Sequence, residues 1–185
     1  MKKAIIISLI ITSFVGCNSI RNMTVKQFEC TPQTFQYDSS YKENNSRQYF
    51  IHDEFAYQSA EKYTVESLKE NYLGFLKLEK TPTRNIHDTT IVDTIYEFQN
   101  KQDTIAFYRA KHKDLLKKFD VTSSKFPLYG CVATGQSKDS LKRQFGIKTH
   151  VGDTILIGDE EKSSVFTFFF EKNKIKRIVN TPYFD

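Results

Sequence analysis

The side chains with most chemistry to offer are three cysteines, Cys17, Cys30 and Cys131, and four histidines, His52, His87, His112 and His150. No two histidines stand at i, i+4, and none has an acidic partner at metal-ligand spacing. They read as surface or turn residues, and no metal site is expected. Ser39-Ser40-Tyr41-Lys42 and Ser59-Ala60-Glu61-Lys62 both fit Ser-x-x-Lys, a hydroxyl nucleophile beside an amine. The Lys-Thr-Gly and Ser-Asp-Asn partners that complete such a site do not occur. There is no Gly-x-Ser-x-Gly elbow, and Gly130–Gly135 runs toward a helix without the Lys-Ser/Thr that phosphate binding requires. The expectation is a protein that is not an enzyme, with no catalytic residue and no cofactor. A hydrolase assembled from unlinked residues has nothing in the sequence to support it.

The cysteines divide differently. Cys17 closes the segment MKKAIIISLIITSFVGC, in which Lys2 and Lys3 precede an apolar run from Ala4 to Phe14 and small residues follow. These three parts resemble a bacterial lipoprotein export signal. That resemblance implies a diacylglyceryl group on Cys17, removal of residues 1–16, and a membrane contact through the lipid. The alternative is an uncleaved anchor or an ordinary signal, although the run is roughly half of the ~20 apolar residues that span a bilayer. With Cys17 lipidated, Cys30 and Cys131 remain as a pair for a disulfide in an oxidising compartment. Two buried free thiols are the other reading.

Composition narrows the partners. The chain carries +5 formal charge, of which Lys2 and Lys3 leave with the signal. The remainder is too small and too dispersed for nucleic-acid binding. High aromatic content, with 16 Phe and 10 Tyr, argues for a packed core. Residues 17–26 suit a polar tether and 27–185 a single α+β domain.

Within that domain, Phe28–Tyr57 reads as one or two short strands. Thr64 caps a helix whose apolar positions Val65, Leu68, Tyr72 and Leu76 run toward Leu78, with Thr81-Pro82 as its end. Ser137–Phe145 is a second capped helix, offset by 73 residues at Leu68 and Leu141. Strand-like runs follow, Asp88–Val92 and Asp153–Ile157. Each precedes a hairpin, and Asp103–Tyr108 matches Ser163–Phe168 at an offset of 60. Two degenerate helix-plus-antiparallel-hairpin repeats, about 60–120 and 133–180, would form a sheet with helices on one face. Chance similarity between two amphipathic segments is the competing account.

Gly135–Gly146, GQSKDSLKRQFG, together with Phe168–Ile175, resembles the helix and closing hairpin of two families. These are the SmpA/OmlA lipoprotein subunit of the outer-membrane barrel-assembly machinery and the β-lactamase inhibitor protein. The resemblance implies a non-enzymatic, protein-binding role, as an assembly scaffold at the outer membrane or as a periplasmic inhibitor or immunity protein.

Strand alternation suggests where such a partner would sit. Phe166, Phe168 and Phe170 share one face of their strand, and Val165, Thr167 and Phe169 share the other. The offset of 60 equates the second set with Ile105, Phe107 and Arg109. Phe107, Arg109 and Phe169 are therefore the candidate partner-binding residues, unless Phe28–Tyr57 folds across them as a second core. Asp-Thr or Asp-Ser pairs at Thr89, Thr94, Thr104, Ser140 and Thr154 resemble the O-glycan acceptor pattern of exported Bacteroidota proteins. They equally suit turn-to-strand junctions.

Overall fold

Aromatic residues placed alternately along one strand, Val165–Glu171, organise the core: Phe166, Phe168 and Phe170 are buried while Phe169 is exposed. A computed structural model describes residues 30–42, 47–85, 87–111, 113–180 and Pro182. The signal segment, Cys17 and the tether lie outside the described residues. Among the described residues, the elements are β1 (Ser39–Lys42), β2 (Gln48–Ile51), α1 (Asp53–Glu61), α2 (Val65–Tyr72), β3 (Lys77–Arg84), β4 (Val92–Gln99), β5 (Thr104–Ala110), β6 (Lys113–Val121), α3 (Lys138–Gln144), β7 (Thr154–Gly158), β8 (Val165–Glu171) and β9 (Lys174–Asn180). None of these helices is long and apolar enough to cross a membrane.

The nine strands form one sheet in the order β1-β2-β7-β8-β9-β6-β5-β4-β3, which makes the fold α+β. Among the described residues, only β2 and β7 pair in parallel. Phe55 of α1, Val65, Leu68 and Tyr72 of α2, and Leu141 of α3 share one apolar cluster with alternate sheet residues, so the helices cover a single face. Phe55 packs edge-on to Phe145 at 4.9 Å and to Phe166 at 5.8 Å between ring centres. Each such ring removes well over 100 Å² of apolar surface from water, roughly 3 kcal/mol apiece before conformational costs.

Local chemistry sets the boundaries. Thr64 accepts from Ser67 N–H at 3.1 Å, and the Ser67 hydroxyl accepts from Thr64 N–H at 2.9 Å, a reciprocal cap on α2. Ser137 caps α3, which ends where Ile147 N–H reaches the Lys142 carbonyl and Gly146 takes φ +65°. α2 stops at Tyr72, short of the expected Leu78. Thr81-Pro82 lies inside β3, where proline is tolerated because β3 is an edge strand. Asp88–Ile91 is a turn rather than a strand, held by Thr90 N–H donating to the Asp88 carboxylate, and β4 starts at Val92.

The N-terminal stretch contains β1, β2 and, beyond expectation, α1. His52 is not a surface residue: it is buried, and its Nδ1 accepts from Phe55 N–H at 3.1 Å to cap α1. Phe35, Phe50 and Phe55 join the helix-side core. Gly158 is fixed by space, since an added Cβ would stand 2.5 Å from the Tyr49 hydroxyl.

Candidate functional site

Pairing decides which side chains share a face, because directly opposed residues project the same way. Phe169 of β8 is opposed to Arg177 of β9, and Thr167 is opposed to Val179. Val179 in turn faces Asp120 of β6. These residues lie on the sheet surface opposite the helices, where Phe169 keeps 38 % of its surface exposed. Arg177 grips Asp120 through Nε and Nη2, both at 2.6 Å. This bidentate bond, more than the cost of burial, pushes the guanidinium above its ordinary range. An apolar ring beside a paired guanidinium, on a surface of mixed polarity, is the composition of protein-binding patches.

Phe107 and Arg109 do not join this patch, which corrects the sequence reading. Phe107 is 0 % exposed and packs with Phe98 in the helix-side core. Arg109 also points to the helix side. Its Nε and Nη2 meet Asp114 at 2.5 and 2.8 Å, and its Nη1 meets Glu66 of α2 at 2.9 Å. Asp114 Oδ2 accepts from Val65 N–H at 2.8 Å, so the pair ties the β5–β6 hairpin to the first turn of α2. The guanidinium also lies 5.0 Å from the centre of the Tyr96 ring. Hydrogen bonding to Asp114 drives its pKa further above the ordinary arginine value.

The mistaken faces trace to a one-residue slip. The closing pairs Ala110↔Lys113 and Glu171↔Lys174 are 61 positions apart, not 60. Counted from the two hairpin turns, an offset of 61 takes Phe107 to Phe168, both buried, and Phe169 to Tyr108 of the outer face. Arg177 escaped the sequence reading because the β8–β9 register shifts at Phe169/Phe170, skipping Lys176. The available signal was Ile175 and Ile178, apolar residues three apart in a strand, which mark a bulge.

Elsewhere, Cys30 and Cys131 form a disulfide with Cα atoms 5.4 Å apart. No three His, Cys, Asp or Glu side chains converge on a possible metal position among the described residues. Lys62 donates to the Leu128 carbonyl at 3.0 Å, and burial lowers its pKa to about 8. It acts with Tyr63 and Tyr72, whose hydroxyls bond Pro127 and Lys125 carbonyls, to fasten the β6–α3 connection onto the helices. On the outer face, Tyr108 donates to Asp93, which also accepts from Asn85 at 2.7 Å. Comparison of the chain with protein-family models, with curated proteins and with solved structures finds no match.

Proposed function

We propose that this protein is an exported, lipid-anchored module that binds another protein in or near the outer membrane and performs no catalysis. Cys17 carries the lipid, and the sheet surface around Phe169 and Arg177 receives the partner, the position that Phe107 and Arg109 were expected to fill. The observation that carries the reading is an exposed aromatic beside a bidentate Arg–Asp pair on a rigid sheet. Such a surface commits little conformational entropy on binding. The disulfide supports export, because reducing compartments do not keep such bonds. The SmpA/OmlA-like character and the division into two helix-plus-hairpin units belong to the same proposal. The register offset of 61 is the form of the repeat that keeps equivalent faces equivalent.

Crosslinked complexes captured from native membranes test it, comparing the native chain with Cys17→Ala and Phe169→Asp. A defined partner retained by the lipidated chain and lost in Phe169→Asp supports the reading. A partner retained equally by all three chains defeats it.

A further inference from the structure

The end of the sheet formed by the β4–β5 turn, the close of β6 and the β8–β9 turn carries two adjoining grooves of about 580 and 440 Å³. They share Thr122 and Lys176. Lys101 and Arg177 line the first groove, and Lys172 and Lys174 the second. Against these five cations stand only Asp120 and Glu171, a surplus of three. Three is also the whole formal surplus of residues 17–185, once Lys2 and Lys3 are set aside from the +5 of the full chain. The lining of these grooves is thus basic, with Asp103 held by Thr122 N–H and Asp139 bonded to Asn173 as the further carboxylates at this end.

Arg177 is engaged by Asp120, and Glu171 lies 3.8 Å from Lys176. Lys101, Lys172 and Lys174 are exposed, and no described carboxylate pairs with them. Three exposed ammonium groups on long stems, spread over an open groove, match a diffuse anionic surface better than a small ligand that needs fixed donors.

We propose that Lys101, Lys172 and Lys174 at this basic end rest on anionic lipid headgroups of the membrane that holds the protein, with Arg177, engaged by Asp120, left to the partner surface. The inference depends on the lipoprotein reading for its geometry. Gly135 lines the second groove, and its N–H donates to the Ile175 carbonyl at 2.8 Å. Cys131 is four residues away, at most about 14 Å along an extended chain, and is bonded to Cys30. The stretch from Cys17 to Cys30 spans at most about 45 Å. The disulfide therefore holds Cys30, where the anchored segment would join the domain, near the second groove, with the lipid on Cys17 within reach of the same end. Juxtamembrane cations each strengthen binding to an anionic leaflet by about fivefold.

The test uses residues 17–185 with Cys17→Ser, so that no acyl chain contributes, sedimented with phosphatidylglycerol or phosphatidylcholine vesicles. Binding to phosphatidylglycerol alone, weakened by salt and reduced about a hundredfold in Lys101→Gln/Lys172→Gln/Lys174→Gln, is expected. Equal binding to both vesicles, or an undiminished triple variant, overturns the proposal. Binding of poly-glutamate without vesicle binding also overturns it, and points to an acidic protein target of the inhibitor kind. The intact mass of the native protein reports separately on the anchor, so failure of the lipoprotein reading is distinguishable from failure of the basic face.

Discussion

Phe169 and Arg177 face each other across β8 and β9 on the sheet surface opposite the helices, while Phe168, one residue away, is sealed in the core. Adjacent positions thus separate binding from folding. Phe169→Asp should cost about 1 kcal/mol or less in urea unfolding, because its ring is already partly in water. Phe168→Ala should cost about 3–5 kcal/mol through the cavity it leaves. Equal losses for both would place Phe169 in a second core.

Arg109 and Asp114 form the clasp between the β5–β6 hairpin and α2. Arg109→Ala leaves the nearly buried Asp114 carboxylate without its strongest partner, and a loss of about 2–3 kcal/mol is expected at neutral pH. Burial pushes the Asp114 carboxyl up, but Arg109 and Val65 N–H outweigh it and hold the carboxyl below its ordinary 3.8. A depressed folded pKa stabilises above the unfolded value and is lost as pH falls through the folded one. The gap between the native chain and Asp114→Asn in equilibrium unfolding should therefore close as pH falls below about 4.

Lys62 shifts stability in the same direction at higher pH, but here the fold penalises the charged amine instead of favouring a carboxylate. Its folded pKa of about 8 lies below the ordinary 10.5, so the unfolded chain holds the proton more tightly over that interval. Relative to Lys62→Met, the native chain should gain stability as pH rises from about 8 to 10. A flat difference across that range would show that the amine is as well solvated folded as unfolded.

The Cys30–Cys131 bond closes a separation of 101 residues. Reduction, or the Cys30→Ser/Cys131→Ser pair, should lower unfolding free energy by about 4–5 kcal/mol in the chain-entropy model. Unchanged stability would mean that the unfolded chain is not constrained by the link.

Much of the scaffold was legible because local chemistry and packing agree. Thr64 and Ser137 announce the α2 and α3 caps, and Phe166, Phe168 and Phe170 declare the core face of β8. α1 was hidden because its cap is a histidine and its buried positions, Phe55, Ala56 and Ser59, include small and polar residues. β3 was masked by Pro82, which reads as a helix stop until its edge position is known. The site was half legible for a sharper reason. Side-chain period in a strand is two, so an offset of 60 in place of 61 exchanges the faces of Phe107 and Arg109. The bulge after Phe169 similarly concealed Arg177, whose facing residue is fixed only by pairing.

The most direct measurement is site-specific photocrosslinking in native membranes, with a benzoylphenylalanine at position 169 and, as control, at Leu73, which is 51 % exposed. A discrete crosslinked protein from position 169, absent from position 73, is the predicted result. No adduct at 169, or the same adducts from both positions, would contradict a partner-binding surface on the outer face of the sheet.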